Sequence, residues 1–401
     1  MKIALNIERV GASRGGAEKY AASLARMLMA AGHEVHLFAR SVDREELTSG
    51  ARIHLVRMPN LPGFGVLRPY WFGRESERAI RPAGMDLVVG FMNTWYQDVY
   101  LAVGGTRPGT IDYSSRRFRS LPARAIFRAC KAASPKDWLY RAIARRQFSS
   151  QYLPYVIAPS KIVAEHFQHY HNVPAERIAV IHNALDEQAA AIEPGMREAF
   201  RARAGLAADE RAILFVARNY ALKGLEPLLT AMKTVAERCP RARLVVCGSN
   251  RDRSYRRQAE RLGIADRVRF LGSVDDIRPC FAGCDLFAFP TFYDTCSLVV
   301  LEAMDAGLPV VTTRQNGASE LLTDGTDAFV IDSPWSTEQM ADRLLRLLGD
   351  AALRTRIAER GRETVQRHGL QRRMSDLMDV FYRAAAERKS SQSGLGIGRA
   401  A

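Results

Sequence analysis

The chain has 401 residues, of which 47% are hydrophobic and 25% are charged. These values are typical of a globular protein with two domains. No apolar run is long enough to predict a transmembrane helix, and the first residues lack the apolar stretch and cleavage site of a signal peptide. The six cysteines form no Cys-x-x-Cys pair, which favours reduced thiols over a zinc site.

The positive charge is concentrated in one segment. The formal net charge is +15. Residues 107–146 hold eleven Lys or Arg and only two acidic residues, so this basic segment supplies +9 (eleven minus two). Such a patch favours an anionic partner, either nucleic acid or an anionic membrane surface.

The first elements of the chain predict a Rossmann-like domain. Residues 2–7 form an apolar strand, and the loop that follows contains Gly15 and Gly16. Ala and Leu then recur at helical spacing from 17 to 31, and residues 34–38 form the next strand. A Rossmann-like domain begins with this order of elements: a strand, a glycine-containing loop, a helix and a second strand. By themselves, the two glycines indicate a tight turn.

Asp98 is the first candidate functional residue along the chain. It lies about eight residues beyond a predicted strand at 86–90, in the region where ligands collect in open α/β sheets. A carboxylate at this place can contact a bound ligand. The alternative is an ordinary surface aspartate or a helix cap.

The basic segment is interleaved with apolar side chains, which predicts an amphipathic surface. These side chains include Phe118, Ile126 and Trp138. We favour docking to an anionic lipid surface, where each basic side chain contributes about 1 kcal/mol at most. Arg-rich segments with aromatic residues also bind RNA, but no known RNA-binding motif accompanies this one. A solvated basic face is the third alternative.

Arg218 and Lys223 mark the start of a second Rossmann-like domain. A strand at 213–217 ends directly before Arg218, and Lys223 follows five residues later. We therefore expect both cations at the carboxyl edge of a sheet. Paired cations there can stabilise a departing nucleoside diphosphate without a metal ion. Strands at 244–247 and 268–271 continue the sheet.

Residues 285–325 have the pattern of a strand, a polar loop, a buried helix and another strand, which predicts a parallel sheet. Two carboxylates stand out in this unit. Asp294 lies before the helix and Glu302 lies inside it, with seven residues between them. A Glu in an otherwise apolar helix is costly unless it has a partner.

The helix that holds Glu302 predicts an anion site at its beginning. Helical side chains lean toward the N-terminus, where Thr295, Cys296 and Ser297 leave backbone N–H groups unpaired. Such an end favours phosphate. A sugar nucleotide would place its phosphate on these amides and its own hydroxyls beside both carboxylates. The alternative is that Glu302 caps or pairs locally.

The same residues resemble the donor-site signature of the retaining family 4 glycosyltransferases. The resemblance rests on an acidic residue, seven residues, Glu-Ala and then Gly-x-Pro-Val, with Arg-x4-Lys-Gly upstream. It covers about residues 1–385. It implies the GT-B fold, an α/β architecture of two Rossmann-like domains whose parallel sheets face each other across a deep cleft. Asp294 stands where the family usually has Glu, which keeps the charge but shortens the side chain by one methylene.

The resemblance implies a role for each candidate residue. The predicted catalytic residues are Asp98 at the attacking hydroxyl, Arg218 and Lys223 on the diphosphate, and Asp294 on the transferred sugar. The predicted donor-binding residues are Gly15 and Gly16 at the phosphate, Val274 near the nucleobase, Glu302 on the ribose, and Thr295, Cys296, Ser297 and Leu298 through their amides, besides Arg218, Lys223 and Asp294. The family generally needs no bound metal ion.

The chain is predicted to divide into four parts. Residues 1–185 form the acceptor-side domain, with the basic segment inside it, and residues 186–370 form the nucleotide-sugar domain. Residues 371–388 form a helix that crosses back to the first domain, as the resemblance implies. The low-complexity residues 389–401 are expected to be disordered.

These features predict a retaining hexosyltransferase, cytoplasmic and peripherally bound to the inner face of the cell membrane. By resemblance to the lipopolysaccharide core glucosyltransferases, the donor would be UDP-glucose or a related UDP-hexose, and the acceptor a glycolipid or lipopolysaccharide core. The sequence does not separate UDP from GDP or ADP, nor does it name the acceptor. One alternative is an epimerase acting on UDP-N-acetylglucosamine, which would leave the basic segment unexplained. A nucleic-acid-binding protein is the other, and it would leave the candidate donor site unexplained.

Overall fold

The computed structural model describes residues 1–11, 16–43, 50–58, 64–149, 153–185 and 192–397. The chain forms two compact units. The first comprises Met1–Asp112, Ser120–Ile181 and Gln371–Ala401, and the second comprises Tyr113–Arg119 and His182–Leu370. Residues 113–119 therefore belong to the second unit, although their sequence neighbours on both sides belong to the first.

A parallel sheet of seven strands forms the centre of the first unit. The strands of this unit are Lys2–Asn6 (β1), Arg9–Val10 (β2), Glu34–Ala39 (β3), Ser41–Val42 (β4), Arg52–Leu55 (β5), Leu87–Phe91 (β6), Val99–Leu101 (β7), Tyr155–Ala158 (β8) and Ile178–Val180 (β9). The order in the large sheet is β5-β3-β1-β6-β7-β8-β9, and β2 pairs separately with β4. The strands predicted at 2–7, 34–38 and 86–90 are confirmed to within about two residues.

Helices flank this sheet because its central strands are apolar along their whole length. Strand β6 is buried at all five positions, as expected for a parallel sheet covered on both faces. The helices are Gly16–Ala30 (α1), Arg68–Ile80 (α2), Arg107–Ser115 (α3), Leu121–Ala132 (α4), Pro135–Gln147 (α5) and Lys161–His171 (α6). In α1, Ala21, Leu24 and Leu28 are fully buried, which confirms the predicted apolar face.

The second unit repeats the design with a parallel sheet of six strands. They are Arg211–Val216 (β10), Ala242–Cys247 (β11), Val268–Gly272 (β12), Leu286–Phe289 (β13), Val310–Thr313 (β14) and Phe329–Ile331 (β15), in the order β12-β11-β10-β13-β14-β15. The helices are Met196–Ala204 (α7), Tyr220–Lys223 (α8), Leu225–Arg238 (α9), Arg253–Arg261 (α10), Arg278–Gly283 (α11), Leu298–Asp305 (α12), Thr337–Gly349 (α13) and Ala351–Arg367 (α14). The predicted strand–loop–helix–strand unit at 285–325 is confirmed as β13, α12 and β14.

The segment 113–119 packs on the second unit through aromatic side chains. The ring of Tyr113 lies 5.1 Å from that of Tyr293. The indole N–H of Trp335 donates to the carbonyl oxygen of Arg116 at 3.1 Å, and the guanidinium of Arg119 lies 5.4 Å from the Trp335 ring. This part of the basic segment is therefore tied to the domain that holds the predicted donor residues.

The last helix, Leu370–Ile397 (α15), packs into the core of the first unit. Leu377 and Phe381 on this helix are fully buried. The helix continues beyond 388, where the sequence predicted a disordered tail. The hydroxyl groups of Ser390 and Ser391 donate to backbone carbonyls one turn earlier, which keeps these polar residues compatible with helical geometry.

Arg388 on α15 binds Asp98, and this pair changes the role of Asp98. The Nη1 atom of Arg388 lies 2.9 and 3.0 Å from the two carboxylate oxygens of Asp98. One of these oxygens also accepts from the amide of Val88 at 2.8 Å. Because Asp98 directly precedes β7 and binds the beginning of β6, it lies at the amino edge of the sheet. Ligands collect at the opposite edge, so the predicted contact with the attacking hydroxyl is replaced by a structural role.

The Asp98–Arg388 pair is partly buried, and its two partners depend on each other. Burial raises the pKa of the Asp98 carboxyl, while the Arg388 charge and the Val88 amide act in the opposite direction. Desolvation therefore offsets much of the attraction, yet a lone carboxylate left at this site would be costly.

We expect Arg388→Leu to lower the free energy of unfolding by about 2–4 kcal/mol, since it leaves the Asp98 carboxylate without its cation. Adding Asp98→Asn to this variant should restore part of the loss, because the buried charge is then removed. Arg383→Leu is the matched control, since Arg383 is exposed on the same helix and, among the described residues, donates only to a carbonyl at 3.3 Å. Equal urea midpoints for Arg388→Leu and Arg383→Leu would contradict this role of the pair.

Candidate functional site

The predicted donor residues follow the two central strands of the second sheet. Strand β10 lies between β11 and β13, so the strand order reverses at the β10–β13 pair. Open α/β sheets bind ligands in the crevice at the carboxyl ends of such strands. Arg218 follows β10, and the loop with Asp294 follows β13. The topology therefore brings both segments to one edge of one sheet.

Gly224 allows these two segments to approach closely. It ends α8 in a left-handed conformation, with φ of 81°. A Cβ atom at this position would lie 1.9 Å from the carbonyl oxygen of Pro290, at the end of β13. The side chain of Asn219 accepts from the amide of Leu222 at 3.2 Å and caps the short helix. Together these features fix Lys223 beside the loop that holds Asp294.

Lys223 and Asp294 form an ion pair at the edge of the sheet. The Nζ atom of Lys223 lies 2.7 Å from Oδ2 of Asp294 and 2.9 Å from the carbonyl oxygen of Tyr293. Both side chains are about one-fifth exposed, at 19% and 18%. An ammonium group has three N–H donors, and two are used in these contacts. The structure thus brings together two of the predicted catalytic residues in a position open to a ligand.

Asn316 organises the loop around Asp294, and no pattern in the sequence pointed to it. Its side chain is fully buried. The side-chain oxygen accepts from the amide of Ser297 at 3.2 Å and from that of Ala318 at 3.1 Å. The Asp294 backbone also forms a bridge with this region, donating to Gln315 and accepting from Gly317. Asn316 therefore holds the beginning of α12 and the Asp294 loop in one arrangement.

This arrangement corrects part of the predicted anion site. The amide of Ser297 donates to Asn316, so it is not available to a phosphate. The side chain of Cys296 is 2% exposed and packs in the hydrophobic core, and its carbonyl oxygen accepts from the side-chain amide of Asn183 at 2.7 Å. Of the predicted amide set, Thr295 precedes this buried pair and Leu298 begins α12; both are half-buried.

The other predicted site residues occupy varied positions. Glu302 is half-buried in α12, whose neighbouring residues Leu301 and Ala303 are buried, and Arg218 is exposed after β10. Val274 is half-buried against the core of the second unit. Gly16 is the first residue of α1 in the first unit, and Gly15 lies outside the described residues.

His182 and Glu320 form a second charged contact in the same unit. The Nε2 atom of His182 lies 2.9 Å from a carboxylate oxygen of Glu320, and both side chains are mostly buried. Glu320 belongs to the short 3₁₀ helix Gly317–Leu321 directly after Asn316. No role for Glu320 could be predicted from the sequence. Its contact with His182, 138 residues away along the chain, could be found only in three dimensions.

The part of the chain that the structure describes contains no group of three or more His, Cys, Asp or Glu residues placed to hold a metal ion. All six cysteines are free thiols.

Two family models together match most of the chain. A family model described as Glycosyltransferase Family 4 matches residues 14–189, and one described as Glycosyl transferases group 1 matches residues 196–364. The chain belongs to the GT-B glycosyltransferases of group 1 and family 4. The second match contains the Lys223–Asp294 pair and Glu302, so the resemblance stated from the sequence is confirmed.

Two curated glycosyltransferases illustrate the similarity. The lipopolysaccharide glucosyltransferase WaaG of Escherichia coli is 25% identical over 382 residues, covering 91% of this chain and 95% of that protein. The lipopolysaccharide core biosynthesis glycosyltransferase LpsE of Rhizobium meliloti is 33% identical over 166 residues, covering 41% of this chain and 47% of that protein.

Solved structures confirm the predicted GT-B fold. The crystal structure of WaaG matches with a TM-score of 0.73 and 22% identity, covering 91% of this chain and 95% of that chain. Anabaena HepE in complex with UDP-glucose matches with a TM-score of 0.69 and 20% identity, covering 97% of this chain and 100% of that chain.

We expect Gly224→Ala to destabilise the second unit by roughly 3 kcal/mol or more, because it combines a left-handed conformation with a clash against Pro290. Gly205→Ala is the matched control: Gly205 is also left-handed, with φ of 63°, but apart from its chain neighbours no described residue has an atom within 4 Å of the position that its methyl group would occupy. That variant should lose only about 1–2 kcal/mol. Urea unfolding measures both, and equal losses would show that the close approach at Pro290 is unimportant.

Proposed function

We propose that this glycosyltransferase is a retaining hexosyltransferase that moves glucose from UDP-glucose to a lipopolysaccharide core or another membrane-associated glycan. The observation that carries the proposal is the Lys223–Asp294 pair, at 2.7 Å, on the ligand-binding edge of the second sheet. It joins a cation suited to a diphosphate with a carboxylate suited to sugar hydroxyls.

Each donor residue has a role that its position supports. Lys223 has one further N–H beyond its two contacts for a phosphate oxygen, and Arg218 on the same strand end adds a second positive charge. Both stabilise the negative charge that develops on the departing diphosphate. Asp294 binds the transferred hexose, and Glu302 binds the ribose hydroxyls. The amides of Thr295 and Leu298 contribute at the distal phosphate.

The ion pair also favours front-face attack over a covalent intermediate. Because Asp294 is held by Lys223, it is poorly placed to act as a nucleophile. In front-face attack, the bond between the anomeric carbon and the phosphate oxygen breaks as the acceptor oxygen bonds to the same face. The acceptor's hydroxyl proton passes to the departing phosphate oxygen, so no second catalytic carboxylate of the glycosidase type is needed.

The donor assignment takes support from relatives. WaaG is named as a lipopolysaccharide glucosyltransferase, and HepE was crystallised with UDP-glucose. An epimerase that acts on UDP-N-acetylglucosamine needs no docking to lipid, so it would leave the basic segment unexplained. A nucleic-acid-binding protein would leave the donor residues unexplained.

We expect UDP to raise the melting temperature of the protein in the presence of EDTA, and GDP and ADP to raise it less. Glu302→Ala should remove this stabilisation, because the ribose loses its carboxylate. Glu338→Ala is the control, since Glu338 is exposed in the first turn of α13. The same samples should hydrolyse UDP-glucose slowly without added metal. If none of the three nucleotides stabilised the wild type, the donor-site assignment would be wrong.

We also propose that α4 and α5 dock on the anionic inner face of the cell membrane, which makes the enzyme cytoplasmic and peripheral. Within the described residues, α4 has no buried side chain. Leu121, Ile126 and Trp138 are exposed by 74%, 65% and 59% among the basic residues of the segment. No helix in the described part of the chain is long and apolar enough to span a bilayer. Exposed apolar groups within a basic patch match an anionic bilayer surface.

Vesicle co-sedimentation tests this surface. The wild type should bind phosphatidylglycerol-containing vesicles at low salt, and changing Leu121, Ile126 and Trp138 together to Ser should weaken binding about tenfold or more. The control changes three exposed apolar residues elsewhere, Leu55, Val66 and Tyr382, to Ser. Equal binding by the two triple variants, or equal binding to neutral vesicles, would refute docking by this surface.

A further inference from the structure

A cavity lies in the first unit, at the carboxyl edge of its sheet. Its volume is about 280 Å³, slightly below the range of roughly 300–1,000 Å³ typical of drug-sized ligand pockets, which suits a single sugar residue. It is lined by residues after β6, such as Met92 and Asn93, and by residues after β7, such as Gly104 and Thr106. Ligands of open α/β sheets collect at these strand ends.

The inner wall of this cavity is aromatic and uncharged. The rings of Tyr100, Phe148, Phe167 and His171 pack against one another with centroid distances of 4.9–5.8 Å. Burial lowers the pKa of His171 to about 4, so its imidazole is neutral at physiological pH. Burial also raises the pKa of Tyr100, which keeps its phenol protonated. A wall of this kind suits the apolar face of a sugar ring.

Two basic side chains lie at the rim of the cavity. Arg107 and Lys136 line it, and none of its fifteen lining residues is acidic. The guanidinium carbon of Arg107 lies 5.7 Å from the centre of the Tyr140 ring, and Nζ of Lys136 lies 5.9 Å from it. The Nε–H group of Arg107 donates to the carboxylate of the buried Asp137 at 2.5 Å, which fixes the position of the guanidinium group. Lys136 forms no ion pair with any described residue.

Backbone strain at the mouth of the cavity is supported by specific hydrogen bonds. Met92 adopts a left-handed conformation, with φ of 56°, which is unfavourable for a residue with a side chain. Its carbonyl oxygen accepts from the Tyr100 hydroxyl at 3.0 Å and from the Gln147 side chain at 2.7 Å. Strain that is held by such contacts is concentrated at functional sites.

We propose that this cavity binds an anionic sugar residue of the acceptor, with the ring against the aromatic wall and its phosphate or carboxylate on Lys136 and Arg107. The inference rests on the proposed function, because it supplies the acceptor subsite of that transfer. It narrows the acceptor to glycans that carry a negative charge on or beside the sugar that is bound.

Ligand-observed NMR titrations test the subsite with glucose 6-phosphate, glucuronate, glucose and glycerol 3-phosphate. At least one anionic sugar should bind about tenfold or more tightly than glucose. Lys136→Gln should weaken that binding about tenfold, whereas Arg145→Gln, an exposed cation on the same helix that does not line the cavity, should leave it unchanged. Gly104→Leu should abolish it, because the added side chain fills the cavity. Apart from the chain neighbours of Gly104, Met92 alone among the described residues has atoms within 4 Å of a Cβ at that position.

Two results would overturn the subsite. One is equal binding of the anionic sugars to the wild type, Lys136→Gln and Gly104→Leu. The other is glycerol 3-phosphate binding as tightly as glucose 6-phosphate, which would assign the cavity to a lipid headgroup. Stabilisation of the wild type by UDP, measured in parallel, reports on the proposed function alone. If UDP failed to stabilise the wild type while the anionic sugar still bound, the result would count against the donor site and not against this cavity.

Discussion

The contact on which the proposed donor site depends is the approach of Gly224 to the carbonyl oxygen of Pro290. A methyl group there would lie 1.9 Å from this oxygen, so only glycine lets the end of α8 meet the end of β13. This approach sets Lys223 beside Asp294, and the buried Asn316 side chain holds the same loop from the other side. Most of the rigidity of the site thus comes from backbone geometry and one amide, while the charged groups supply the chemistry.

The elements of both sheets could be predicted because parallel strands buried on two faces are continuous apolar runs. The pairing of Lys223 with Asp294 was foreseeable for a related reason: each follows a strand of the same sheet, and carboxyl ends share an edge. Asp98 shows where this reasoning fails. A loop of about eight residues is long enough to return the chain to the opposite edge, and no local pattern reveals which edge it reaches.

The amide of Ser297 was mispredicted as a phosphate donor for another reason. A helix beginning leaves donors unpaired unless another residue satisfies them, and that residue, Asn316, is 19 positions away from Ser297. The basic segment shows a third limit. Its composition indicated an anionic partner, yet its residues divide between an exposed face on α4, a cavity rim at Lys136 and an aromatic contact with Trp335. Charge density alone does not distinguish these environments.

The assignment of Tyr113–Arg119 to the second unit affects how the two halves of this enzyme can be separated. A fragment that contains only residues 182–370 would lack the seven residues that cover Tyr293 and Trp335. Tyr293 is the neighbour of Asp294, so uncovering it alters the surroundings of the Asp294 carboxylate. A recombinant second domain therefore needs this heptapeptide, added in trans or fused to it, before its nucleotide affinity can represent that of the full chain.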